Sequence, residues 1–547
     1  MYKNVFARLK SLFTGIDWKL FLFLILFLNV KLPVKVAAII LLYIAQPNFK
    51  FGFNARFSRL PLFYAGMIVI AVVNWFLNGN YTYLNLNISF VLGILFWVLC
   101  ILVIHQLKLF TEKNDPAVIH NTIRLFFILN ALVSFLNYFI IVLKTGAINP
   151  YQFQGNFQKY FLSTGDMIRG LTFDVSTTNA LLNAYGVIYF LRKRNMVMTI
   201  VCMAILLMTG SNFTNLLIVV VLLFMFAFQS DRLQKSLVMI GLFLMVLFMA
   251  KVSPQNNEYA IVSLNQLLGK NPPVASKQPI KEKSLRDSPD SLLSKEERKQ
   301  KTALLYLDSL GKEIQRRKLL ANKKLNKLKP PNMTVLRLDI NSGFYQRKLD
   351  TTASERELLK LAQDPINLPF NILYDSTYKK GLPGKLVAFK QTALFLKDNP
   401  ARIATGVGTG NFSSKLAYRT TALGISGSYP KKLAYLNLYF RINHFALFML
   451  YFSKDESLHS VMNTSNCVYD QLAGEYGIAG ILLFLFFYLG YFTRRAKKIA
   501  YSLPLILVTL GAFVMDYWYE QLSIVIIFEL LLLLDIKETS YPEKEKQ

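Results

Sequence analysis

The stretch "SLHSVMNTSNCVYDQLAGEYGIAGILLFLFFYLGYFTRR" (457–495) decides how this chain is read. Polar side chains, among them Asn463, Asn466, Gln471 and Glu475, run directly into an apolar segment that ends on two arginines. About 17–20 apolar residues suffice to cross a bilayer core, and arginines gather at the cytoplasmic end of such spans. The amides and the carboxylate then stand at the outer mouth of a span. What they do there depends on topology, and topology depends on the other apolar runs.

Over 547 residues, 53% are hydrophobic and the mean hydropathy is +0.35, too apolar for an ordinary soluble enzyme. Apolar runs near 17–31, 33–48, 60–78, 87–104, 123–143, 173–191, 196–211, 213–229, 235–252, 474–492, 500–516 and 518–536 predict an all-α polytopic membrane protein of about 12 transmembrane helices. The first run lacks a small-residue cleavage site and reads as a retained span. A second apolar stretch, "LAYLNLYFRINHFALFMLYF" (433–452), carries Arg441 and His444 at its middle and reads as a buried or interface-lying helix.

A net charge of +30 suggests nucleic acid at first sight, but the placement of the charge points to the membrane. Basic residues sit in alternate short loops, in "KFGFNARFSR", at Lys108, Lys113 and Arg124, and in "RKRN", "SDRLQK" and "TRRAKK", while "NGNYTYLNLN" and "DYWYEQ" lie on the other side. The asymmetry predicts cytoplasmic termini and an outer location for 253–473. Four segments follow: 1–252 with about nine spans, 253–378 as a basic accessory part of the outer loop, 379–473 as its motif-bearing part, and 474–547 with three spans and a tail. Leucines at helical spacing predict basic amphipathic helices around 290–327. Cys100 and Cys202 fall inside apolar runs, so with Cys467 no disulfide framework is expected. His105, His120, His444 and His459 lack metal-ligand spacing, and no cofactor is expected.

Three outward stretches hold candidate chemistry. "MIRGLTFDVSTTNALLNAYG" (167–186) places Arg169 just before a span, with Asp174 as a nearby counter-charge. "GKLVAFKQTALFLKDNPARIATGVGTGNF" (384–412) is a helix that ends at Pro400 and turns through Gly406, Gly408 and Gly410. A phosphate-loop reading of those glycines fails, because no Lys-Ser/Thr follows; a tight turn closing a helix explains them equally well. The third is the opening stretch, in which Gly477 and Gly480 would let helices pack closely. Glu475 suits a helix start as readily as a catalytic role, and His459 reads as easily as an ordinary loop histidine.

Taken in order, these pieces resemble the bacterial O-antigen ligase and O-antigen polymerase family of membrane glycosyltransferases. That family carries an Arg-Gly-x-Phe-like stretch before a mid-chain span, then an "R-x-x-x-W-x-x-A-L … P … G-x-G-x-x-F" block. An "H-N-x-Y-L-x-x-L-A-E-x-G-I-x-G" block follows. Here the blocks read "KLVAFKQTALFLKDNPARIATGVGTGNF" and "NCVYDQLAGEYGIAG", and "MTGSN" (208–212) is similar to the family's "LTGSR". The chain departs from the pattern at Lys385, Phe389, Asn466 and Asn212, where the family has arginine, an aromatic tryptophan, histidine and arginine.

The resemblance implies a GT-C-like fold with one large periplasmic loop in the inner (cytoplasmic) membrane. It implies transfer of a glycan from undecaprenyl diphosphate to an acceptor hydroxyl, without metal, the acceptor being lipid A core or a second carrier-linked glycan. Arg169 and Lys385, with Arg402 and Arg419 behind them, would neutralise the departing diphosphate; Asn466 and Gln471 would hold glycan hydroxyls; His459 and Glu475 would be the catalytic pair. Membrane lipids are the other expected partner, and nucleic acid is not one. Polymerase and protein O-glycosyltransferase activities stand beside ligase. A polysaccharide transporter predicts charges spread through many spans instead, and a receptor or scaffold would use the basic loop to bind a partner.

Overall fold

The computed structural model describes residues 15–28, 31–54, 58–77, 84–146, 149–152, 164–172, 175–253, 383–421, 429–445, 447–448, 461–495 and 501–540. Among these there is no strand. The helices in chain order are α1 (Trp18–Leu28), α2 (Leu32–Ala45), α3 (Phe63–Leu77), α4 (Leu84–Lys113), α5 (Pro116–Thr145), α6 (Ser176–Arg192), α7 (Met196–Met208), α8 (Asn212–Phe228) and α9 (Arg232–Leu247). They continue with α10 (Gly384–Asp398), α11 (Lys415–Arg419), α12 (Leu438–Asn443), α13 (Val468–Leu483), α14 (Gly490–Arg495), α15 (Ser502–Ala512), α16 (Trp518–Gln521) and α17 (Ser523–Ser540). Ten of the twelve apolar runs each fall on a single one of these helices, whereas 474–492 covers α13 and α14 and 518–536 covers α16 and α17. The expected helices around 290–327 lie outside the described residues.

Among the described residues, four helical stretches are long and apolar enough to cross a membrane: Leu84–Lys113, Pro116–Lys144, Arg232–Val252 and Val461–Arg494. At about 1.5 Å per residue, a 30-residue helix such as α4 spans roughly 45 Å, more than a hydrocarbon core of about 30 Å. Local chemistry sets their ends. Pro116 opens α5 where a helix leaves its first N–H unbonded, and Gly146 closes it in the left-handed conformation. Asp231 and Gln234 cap the start of α9 reciprocally.

The described residues divide into two compact units, one drawn from Met1–Val69, Leu95–Ala260 and Gly480–Gln547, the other from Ile70–Ile94 and Ile261–Ala479. In the first unit, α6 is buried from Ser176 to Leu191 and α17 is buried through Asp535, so these two helices form its centre. On α9, by contrast, Met239, Phe243 and Val246 are exposed, an apolar face suited to lipid. Two carboxylates buried in this unit are held by hydrogen bonds. Glu529 accepts from the Tyr64 and Tyr488 hydroxyls, the latter at 3.0 Å, and Asp535 takes the backbone N–H groups of Tyr501 and Ser502 at the start of α15. Lys193 pairs with Glu538 at 2.6 Å.

The second unit packs α10, α11 and α12 with the start of α13. Phe395, Val407, Phe412 and Tyr439 make its core, with the Phe395 and Phe412 rings 4.9 Å apart. Within the 433–452 stretch, α12 is only six residues long, and Phe440, His444, Phe445, Leu447 and Phe448 are all buried. The side chain of Arg441 is outside the described residues.

The helix α13 is broken at Gly477, whose backbone (φ 64, ψ −161) is closed to other residues. A continuous helix would bond Ile478 N–H to the Gly474 carbonyl and Ala479 N–H to the Glu475 carbonyl. Neither bond forms here. The segment 403–408 supplies partners for all four groups: Ile478 and Ala479 donate to the carbonyls of Ile403 and Ala404, and Val407 and Gly408 donate to those of Gly474 and Glu475, at 2.8–3.0 Å. A Cβ on Gly477 would lie 2.5 Å from the Ile403 carbonyl oxygen, so loop and helix are in direct backbone contact. Gly477, expected to ease packing between helices, instead breaks its own helix to receive a loop.

Candidate functional site

The glycine turn of the second motif and the carboxylate of the third form one structure. Gly406, Gly408 and Gly410 all have positive φ, and the chain curls so that successive N–H groups face inward. Glu475 fills that concavity. Its Oε2 accepts from Gly410 N–H at 2.9 Å, and its Oε1 accepts from Phe412, Ser413 and Ser414 N–H at 3.1–3.2 Å. Such a nest of N–H groups is an anion site, and here the anion is the protein's own carboxylate. Glu475 is fully buried with both oxygens engaged. The Asn74 amide adds a further hold by donating to the carbonyls of Thr405 and Gly406.

The Lys385 side chain, on the first turn of α10, is buried as well. Its ammonium donates to Thr464 Oγ1 at 3.0 Å and to the Asn466 carbonyl, while Gly384 N–H reaches Asn463 Oδ1. Lys385 therefore ties α10 to the segment entering α13. Asn466 is half-buried, with Oδ1 enclosed and unpartnered among the described residues; Gln471 is buried. Arg402 is half-buried with its guanidinium 6.0 Å from the centre of the Tyr439 ring, and Arg419 is half-buried at the end of α11. His459 lies outside the described residues. The histidine the structure does place in this unit is His444, whose Nε2 meets Thr392 Oγ1 at 3.2 Å and whose ring packs 4.7 Å from that of Phe412. Burial pushes this imidazole down to about 3, which keeps it neutral at physiological pH.

Arg169 belongs to the first unit, in a turn between two short 3-10 segments, Thr164–Met167 and Gly170–Thr172. Its side chain is half-buried, and Asp174 lies outside the described residues. Three asparagines that the sequence reading passed over surround this turn: Asn130 and Asn137 on α5, and Asn179 on α6. The signal was available, since Asn130, Ser134 and Asn137 recur at helical spacing within an otherwise apolar span.

Chemically, the second unit offers half-buried guanidinium groups at Arg402 and Arg419 and an unused amide oxygen at Asn466, on a frame fixed by Glu475 and Lys385. No family model, curated protein or solved structure matches the chain.

Proposed function

We propose that the chain is a membrane glycosyltransferase that moves a glycan from undecaprenyl diphosphate to an acceptor hydroxyl at the periplasmic face, with lipid A core as acceptor in the manner of an O-antigen ligase. In this reading about twelve helices cross the inner membrane, both termini are cytoplasmic, and 253–473 is periplasmic. The observation that carries it is the interlock of two motifs. The glycine turn and the Glu475–Gly477 break lie far apart in sequence, and each completes the other's hydrogen bonds.

Arg169, Arg402 and Arg419 are each candidate cations for the departing diphosphate, and removal of the cation that meets it costs on the order of 10²–10³ in rate. Lys385 and Glu475, both enclosed, hold the frame. Asn466 offers an acceptor to a glycan hydroxyl, and His459 is the candidate base.

Deleting the gene and resolving surface polysaccharide on a gel tests the reading. Loss of all long chains from lipid A supports ligase, and capping with a single repeat identifies a polymerase instead. Unchanged polysaccharide rejects both. Topology is tested separately with a cysteine at position 300, which membrane-impermeant reagent labels from the periplasm; protection until the inner membrane is breached reverses the orientation.

A further inference from the structure

We infer that Asn130, Asn137 and Asn179 are positioning residues that hold the Arg169 turn in the geometry glycan transfer needs, an inference that rests on the function proposed above. An asparagine in an apolar span is costly unless its amide is satisfied. Asn130 and Ser134 on α5 and Asn179 and Asn183 on α6 are fully buried and face one another. Asn179 is the hub: its Oδ1 accepts from the amides of Asn130 and Asn183, each at 2.9 Å, and its Nδ2 donates to Ser134 Oγ at 3.1 Å.

Such a cluster could satisfy itself internally, but three of its atoms reach the turn instead. Asn179 Nδ2 donates to the Ile168 carbonyl, Asn137 Oδ1 accepts from Gly170 N–H, and Asn130 Oδ1 accepts from Leu171 N–H, each at 3.0 Å. Thr172 closes the turn from the other side, its hydroxyl donating to the Arg169 carbonyl at 2.6 Å. The backbone is thus fixed immediately before and after Arg169. Gly170 completes the fit: its φ is +57, and a Cβ there would lie 2.4 Å from Asn130 Oδ1 and 2.8 Å from both Asn179 Oδ1 and Ser134 Oγ. A side chain at the neighbouring position inherits this rigidity, and a catalytic group displaced by about 1 Å loses on the order of 10²-fold in rate.

The test uses the purified full-length chain in lipid nanodiscs, with undecaprenyl diphosphate-linked glycan as donor and lipid A core as acceptor. Asn137 is chosen because it is half-buried and makes one bond to the turn. Asn137→Ala should lower kcat by roughly 10- to 100-fold with KM within about twofold, in a protein that stays folded with Tm lowered by only about a few degrees. Asn137→Asp, which keeps the acceptor oxygen, should restore most of it. Amide exchange at Gly170 should quicken in Asn137→Ala and stay slow in Asn137→Asp. Wild-type kcat in Asn137→Ala, with Arg169→Ala inactive, overturns the inference and leaves the proposed function standing. Unchanged exchange at Gly170 overturns it as well. Full transfer by Arg169→Ala removes the reading on which it rests, and the inference with it.

Discussion

Two turns in this molecule solve the same problem with opposite chemistry. The turn at Arg169 and the turn through Gly406–Gly410 both need glycines at positive φ, and both leave backbone groups without helical partners. The first is held by neutral amides, which donate and accept and so meet both a carbonyl and N–H groups. The second is held chiefly by one carboxylate, which can only accept and therefore meets N–H groups alone, while the Asn74 amide donates to two carbonyls at the start of the turn. An amide clamp disperses its load over several side chains, so losing one leaves others. A carboxylate clamp concentrates it, so losing Glu475 orphans four buried donors at once.

That contrast sets the scale of the expected mutational effects. Glu475→Ala should be the most damaging: each orphaned buried donor costs about 1–3 kcal/mol, so folded protein should be lost from detergent extracts. A folded, active Glu475→Ala protein would refute the concentrated clamp. Gly477→Ala comes next, at about 1–3 kcal/mol from backbone strain alone, beyond which the new Cβ must displace the Ile403 carbonyl. Thermal unfolding in nanodiscs measures it, and a Tm at the wild-type value would show that the break tolerates a side chain.

Lys385→Arg sharpens the comparison, because it puts a larger, planar guanidinium into a buried site that fits an ammonium. Overpacking predicts a loss of about 1–3 kcal/mol and lower transfer; retained or improved transfer would mean that this position meets the diphosphate directly. The smallest effect at neutral pH concerns His444. Its folded value of about 3 lies below the ordinary 6.5, so the unfolded chain binds a proton that the folded one does not. Stability contributed by the neutral ring is complete above about 6.5 and falls as pH drops toward 3, by ~1.4 kcal/mol per pH unit at most. His444→Phe should flatten the Tm–pH curve in that window relative to wild type, and an identical curve would exclude the histidine as a source of acid sensitivity.

The helices were legible because a long apolar run has few other readings, although only four of the described stretches reach bilayer length. Helix ends were less so: α4 runs from Leu84 to Lys113, well past the apolar stretch that announced it, because polar Asn85, Asn87 and Gln106 continue the helix. In the site, Lys385 and Glu475 were identifiable from motif position, but their burial was not, since it depends on segments 61–81 residues away. Gly477 illustrates the same limit. A glycine in an apolar run reads as a packing contact, and only the docked loop shows that it breaks the helix. Asn130 and Asn137 were the reverse case, visible by spacing alone and overlooked because each looked like a single polar residue in a span.

The break at Gly477 also has a consequence for the order in which the chain is made. Gly410 leaves the ribosome 65 residues ahead of Glu475. At about 5–20 residues per second, that is a wait of roughly 3–13 s. Throughout it, the inward-facing N–H groups of the loop must be hydrated. The helix, when it arrives, carries two unpaired carbonyls and two unpaired N–H groups, which hydrocarbon does not tolerate. This part of the helix can therefore settle only where the waiting loop meets it, so docking of the loop and seating of the helix become a single step of assembly.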